Sequence, residues 1–142
     1  MAVDFDHGLF RDLGDPVVLA PVKASATWDA GDLLKSDAGY LVECGAGDIP
    51  YGVAVATLVA ADSPSSSGDV SALVYVGGNN HYRLKSDGTA AITMIGLVCD
   101  VGANSTADID AATDKSLRII EVDTDANTVI VTLNPALSAG VV

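Results

Sequence analysis

Hydrophobic positions along the chain alternate in short runs broken by turn residues, and the clearest pair lies toward the C-terminus. Leu117–Val122 and Thr128–Leu133 are apolar, β-branched runs on either side of Asp123-Thr124-Asp125-Ala126-Asn127, whose Asp and Asn residues tolerate tight turns. This is a hairpin pattern. In the second run Val129, Val131 and Leu133 share one face, and Thr128, Ile130 and Thr132 share the other. The spacing predicts one core-facing side and one wetter, Thr-lined side. The first run separates Leu117, Ile119 and Glu121 from Arg118, Ile120 and Val122, which leaves both of its faces mixed.

The same kind of run recurs upstream. Val17–Ala26 predicts a strand that Pro21 confines to an edge or a bulge. Further strands are predicted at Leu33–Lys35, Tyr40–Cys44, Tyr51–Ala60, Val70–Val76, His81–Lys85 and Ala90–Asp100. A brief one is expected around Ala107–Ile109, and the tail Leu137–Val142 can add a few strand residues. Turns fall roughly every eight to twelve residues, the spacing of small barrels and sandwiches. The expected fold is all-β: a compact β-barrel or sandwich of short antiparallel strands with an extended N-terminal arm. Residues 1–16 form the arm and residues 17–142 a single β-barrel domain.

The arm, MAVDFDHGLFRDLGDP, scatters its apolar residues among charges and glycines with no sustained period. Polar termini fray, but this one holds both phenylalanines of a Phe-poor chain. That argues for an arm anchored on its own barrel or on a neighbouring molecule. The candidate anchors are Phe5, Leu9, Phe10 and Leu13. Asp62–Asp69, DSPSSSGD, reads as a flexible polar surface loop. Leu34-Lys35-Ser36-Asp37 is echoed by Leu84-Lys85-Ser86-Asp87, each a strand running into a Ser-Asp turn.

Composition sharpens this picture. Apolar residues make up 49% of the 142-residue chain but aromatics only 5%, so the core is built from Val, Ala, Leu and Ile. A formal charge of −12 and a pI near 4.1 argue against nucleic acid, whose phosphates require clustered Lys and Arg. An anionic membrane surface is repelled too. The acidity suits a protein held at high local concentration. Cys44 and Cys99 both sit in or beside apolar runs, the setting of small buried hydrophobes, although a single bridge between them stays open. The N-terminus lacks a basic segment followed by an apolar one, so no secretory signal is expected. The longest apolar run, Tyr51–Ala61, falls short of the about 20 residues a membrane helix needs. The expectation is a soluble protein made in the cytoplasm.

Candidate chemistry is sparse. Nucleophilic catalysis needs Ser or Cys beside an oriented His. The two histidines are His7 in the arm and His81 at a hairpin turn, and no G-x-S-x-G elbow is present. No enzyme is expected. Asp4-Phe5-Asp6-His7 offers metal-ligand types, but alternation puts Phe5 opposite Asp4 and Asp6, and a solvated acidic arm accounts for it. Asp123–Asn127 matches the first five positions of a calcium-binding EF-hand loop. Thr128 then replaces the required Gly and Asn134 the bidentate Glu, so it reads as a turn. Asp108, Asp110 and Asp114 read as a solvated acidic loop. Neither a metal nor a cofactor is expected. Trp28, Tyr40, Tyr51, Tyr75 and Tyr82 are the residues from which a carbohydrate platform could be built, but they are dispersed over separate strands.

One run of residues resembles a known family. Gly31-Asp32-Leu33-Leu34, Gly39-Tyr40-Leu41-Val42 and Ile49-Pro50-Tyr51-Gly52-Val53-Ala54 resemble the "GD-hydrophobic … G … P-x-G-V-A" run of bacteriophage capsid cement (head decoration) proteins. Gly96-Leu97-Val98-Cys99-Asp100, an Asp-rich link and Thr128–Leu133 continue in that style, so the likeness spans roughly residues 17–134. The arm and the Ser-rich insert have no counterpart in it. The resemblance implies a non-enzymatic structural virion protein, made in the host cytoplasm and placed on the outer capsid surface. The major capsid protein is its partner, a homotrimer its expected state, and clamping of adjacent capsomers its mechanism. The alternative is a receptor- or glycan-binding β module of a viral or surface fibre, with Gly77–Tyr82 as the candidate patch. An accessory domain of another large assembly fits the same strand pattern.

Overall fold

Turn residues cut residues 7–133, the part of the chain described by the computed structural model, into short strands. In chain order these are β1 Gly8–Arg11, β2 Val17–Pro21, β3 Leu33–Asp37, β4 Tyr40–Glu43, β5 Gly52–Ala54 and β6 Ser71–Tyr75. They continue with β7 His81–Asp87, β8 Val98–Val101, β9 Ala107–Asp108, β10 Leu117–Asp123 and β11 Thr128–Leu133. Among the described residues the only helical turns are 3-10 turns at Ala60–Asp62 and Ile92–Met94. The fold is all-β, as expected. Phe5 and the tail Leu137–Val142 lie outside the described residues.

The strands roll into two sheets. The first runs β1-β7-β11-β10-β8-β9, and β9 returns to pair in parallel with the end of β7 at Ser86–Ala107 and Asp87–Asp108. That pairing closes β7, β11, β10, β8 and β9 into a ring. β1 lies outside the ring, on the first half of β7. The second sheet runs β2-β6-β5-β3-β4. A parallel bridge between Val22 and Leu41 brings its two ends together, and the Lys23 N–H donates to the Leu41 carbonyl at 3.0 Å.

Each ring has its own apolar interior. Tyr82, Leu84, Cys99, Val101, Leu117, Ile119, Val129 and Val131 fill the first. Val22, Trp28, Leu34, Leu41, Ala54 and Val74 fill the second. The wall between them is β3 and β5, whose alternating side chains serve both cores. Leu33 and Val53 join the first cluster, and Leu34 and Ala54 the second. Gly52 permits this closeness, because a Cβ there would run into the Tyr75 carbonyl and Val74 Cγ2. The LKSD echo falls on equivalent ends of β3 and β7, where Leu34 and Leu84 are fully buried in different cores.

The mixed faces of the first C-terminal run are resolved by a bulge. β10 pairs Ile119 with Val131 but Glu121 with Ile130, which leaves Ile120 as the extra residue. The bulge reverses the alternation. Leu117, Ile119 and Val122 therefore all pack toward the first core, while Glu121 points out. The Thr-lined face of β11 is not a wet one, since Thr128 and Ile130 are buried on it. β11 is central, between β7 and β10, and Ile130 lies between outward-facing Arg83 and Glu121, which Arg11 caps from β1.

Two apolar runs form less strand than their alternation predicts. Of Tyr51–Ala60 only Gly52–Ala54 joins a sheet. Beyond it the chain swings to Trp28, which exchanges backbone bonds with Leu58 at 3.1 and 2.9 Å and donates its Nε1 to the Ala56 carbonyl at 3.0 Å. In Ala90–Asp100 the 3-10 turn and Gly96, at φ +88°, postpone the ladder to Val98. The Ser-rich loop is tethered rather than free. Ser63 Oγ donates to the Ala26 carbonyl at 2.6 Å, Ser67 Oγ accepts from the Ala24 N–H at 3.0 Å, and the Pro64 carbonyl accepts from the Ser25 N–H at 2.8 Å.

Part of the acidity is structural. Buried Asp15 accepts the Asn79 and Asn80 N–H groups, while Asn80 Oδ1 accepts the Leu13 and Asp15 N–H groups at 2.7 and 3.2 Å. This reciprocal clasp seats the end of the arm on the β6–β7 turn. Buried Asp100 likewise accepts the N–H groups of Thr113, Asp114 and Lys115 at 3.1, 2.8 and 2.8 Å.

Candidate functional site

β2 and β6 pair as Val17–Tyr75, Leu19–Leu73 and Pro21–Ser71 on one face. Their other face, Val18, Ala20, Ala72 and Val74, packs into the second core. The first face has no such cover: Leu19 is 67% exposed and Leu73 48%. Neither strand contains a charged residue. In a chain of charge −12, this is an uncharged apolar sheet face turned to solvent. Single exposed apolar residues are ordinary, whereas contiguous patches mark contact sites. A second patch, Ile92, Ile95 and Leu97, is exposed beside β10 of the other sheet.

The arm meets the body next to the first patch. Gly8 of β1 crosses Gly31 so closely that a Cβ on Gly31 would lie 2.6 Å from Gly8 Cα. Leu9 pairs with Tyr82, and a register shift at Phe10 brings Arg11 opposite His81. Three of the sequence-derived anchors are thus placed: Leu9, Phe10 and Leu13 lie on their own molecule and stay partly exposed. The absence of a period in GLFR concealed β1, and only the two aromatic rings hinted at it. Between β1 and β5–β6 runs an open groove of about 290 Å³ lined by Leu9, Phe10, Ala54, Val55, Tyr75 and Arg83, among others. Arg11 and Arg83 stand over the Phe10 ring at 4.7 and 5.1 Å from its centre.

A larger polar groove of about 800 Å³ opens on the other side of His7, with Asp29, Asp32, Glu43, Lys85 and Asn104 in its lining. His7 Nε2 contacts Asp32 Oδ1. Glu43 is half-buried there. Burial first, and the neighbouring charges of Asp32 and Asp29 next, push its carboxyl above the usual range, with His7 opposing. Ser105, at φ +56°, reaches in from the loop after β8 and accepts the Leu33 N–H at 3.0 Å.

The remaining sequence candidates disperse. Trp28 and Tyr82 are buried in different cores, and Asn80 of the Gly77–Tyr82 patch is fully buried in the arm clasp. Asp123 Oδ1 accepts the N–H groups of Asp125 and Ala126, both at 3.1 Å, within the hairpin turn. Among the described residues no three His, Cys, Asp or Glu side chains are grouped to hold a metal. Both cysteines are free and buried. Burial pushes each thiol up to about 12, so neither supplies a thiolate nucleophile near neutral pH. No protein-family model matches this chain, and no curated protein and no solved structure matches it.

Proposed function

We propose that this protein is a non-enzymatic decoration protein of an icosahedral phage capsid, sitting on the outer surface and bridging adjacent capsid subunits. The observation that carries the reading is the pair of exposed apolar patches, one on each sheet, on a strongly acidic protein. A surface that is elsewhere charged keeps particles apart, whereas a face without carboxylates can be laid against another protein with no desolvated charge. Two separate patches let one copy hold two subunits, and many such bridges act together although each is weak. The resemblance of residues 17–134 to cement proteins supplies the identity of the shell, the major capsid protein, and the expectation of a homotrimer.

The test is binding of the purified protein to emptied phage shells, read by co-sedimentation and by the temperature at which the shells rupture. Decoration raises that temperature. A Leu19→Ser/Leu73→Ser variant that still folds binds less and protects less. Full binding by that variant and by an Ile92→Ser/Leu97→Ser variant overturns the reading.

The polar groove favours one other function. Its carboxylates, amide and hydroxyls, among them Asp29, Thr57, Asn104 and Thr106, are side chains that hydrogen-bond sugars, which suits a glycan-binding module. Saturable binding on a glycan array, lost on Asn104→Ala, would favour that module over the shell.

A further inference from the structure

We propose that the groove between β1 and β5–β6 is a docking site for an acidic apolar peptide segment of a partner protein. An aromatic or aliphatic side chain enters the groove, and a carboxylate next to it meets Arg83.

The inference starts from a charge imbalance. Acidic residues outnumber basic ones by 19 to 7, so a cation on this protein has carboxylates at hand. Arg11 holds Glu121, Lys23 holds Asp37, and Lys35 holds Asp48 at 2.9 Å. Arg83 holds no carboxylate among the described residues. Its guanidinium stands over Phe10, and its Nε is buried without an acceptor. A buried donor left unmatched is costly, and a cation more so. The Arg83 side chain itself lines an open groove.

The rest of the lining defines what accompanies the anion. Leu9, Phe10, Ala54, Val55 and Tyr75 are apolar or aromatic, and Tyr75 continues onto the uncharged face through its pairing with Val17. Phosphate recognition calls for several converging cations. Among the described residues the lining holds Arg83 and the His7 imidazole and no other acidic or basic side chain. The fit is to a single carboxylate flanked by apolar side chains, on a chain that runs out along β2–β6. Charge complementarity then selects the partner: the protein's acidic surface repels such a segment, whereas this groove offers it Arg83.

The probes are two blocked tetrapeptides absent from this chain, Ac-Leu-Asp-Phe-Val-amide and its Lys-for-Asp counterpart, titrated into the full-length protein and followed by amide chemical shifts. The acidic peptide is expected to bind and to shift Leu9, Val55, Tyr75 and Arg83, and the lysine peptide is not. Arg83→Glu should weaken the acidic peptide by about tenfold or more and confer binding of the lysine peptide. Arg83→Gln, which keeps the side chain's reach, should lose the acidic peptide without gaining the other. Failure of the wild type to bind at millimolar peptide, equal binding of both peptides, or an affinity unchanged in Arg83→Glu would each overturn the assignment. The site does not depend on a capsid, so its failure leaves the decoration reading standing and the converse also holds.

Discussion

β3–β5 and β2–β6 are two pairs of neighbouring strands in one sheet, and their surroundings are opposite. β3 carries Lys35 and Asp37, yet its Leu33 and Leu34 are both fully buried, one in each core. β2 and β6 carry no charge at all, yet Leu19 and Leu73 stand in solvent. Apolar content therefore does not say which strand is interior. Position in the sheet does: the first core covers the outer side of β3 and β5 and stops at Tyr75. A monomer that needed nothing more would gain solubility from charge on the uncovered ribbon. Its absence there is the feature that the proposed partner would explain.

The largest expected effect breaks the shared wall. Leu33→Ala opens a cavity between the two cores and should cost about 3 kcal/mol in urea unfolding. Leu34→Ala, in the other core, should cost a similar amount. If either proved silent, the wall would not be what joins the sheets. Next comes the clasp between arm and body. Asp15→Ala strands the buried Asn80 N–H and removes the acceptor of the Asn79 N–H, and should cost about 2 kcal/mol by the same measurement. A truncation that runs through Asp15 therefore tests stability as much as partner binding. Ending the deletion before His7 separates the two.

The uncovered ribbon should behave in the opposite way. Leu19→Ser/Leu73→Ser removes apolar surface that is already in water, so stability should move by no more than about 0.5 kcal/mol while association falls. A loss as large as that of Leu33→Ala would mean that this face is covered within the molecule, and the comparison would collapse.

The hairpin of β10 and β11, the turn at Asp123–Asn127 and the short strands around it were legible from alternation and turn residues alone. What escaped depended on partners distant in sequence. A bulge at Ile120 decides which residues of β10 face the core, and alternation cannot count an inserted residue. Ala90–Asp100 has strand composition, but Gly96 and the 3-10 turn leave most of it outside the ladder. For the groove, Leu9 and Phe10 of its lining stood out because aromatic and aliphatic residues are out of place in a polar arm, whereas Leu13 lies outside it. Arg83 was not, because a lone arginine in a strand looks the same whether or not a carboxylate waits across from it.

The smallest effect sharpens the comparison between charges beside the polar groove and charges on the open surface. Glu43, on β4 beside the polar groove, is raised by burial and by Asp32 and Asp29. A carboxyl that holds its proton more tightly folded than unfolded opposes folding when ionised, and that opposition fades as pH falls through its raised range. Glu121, exposed on β10, is lowered by its hydrogen bond to Arg11, so it contributes stability above the usual glutamate range and loses it as pH falls. Glu43→Gln should therefore raise the melting temperature near neutral pH, by about 1–2 °C, and the gain should vanish below about pH 4. Glu121→Gln should lower it slightly near neutral pH, with that difference also vanishing in acid. Melting curves of both variants across this range read the two signs directly. Equal signs would mean that burial does not distinguish the polar groove from the surface, and that the groove is as solvated as the outside of β10.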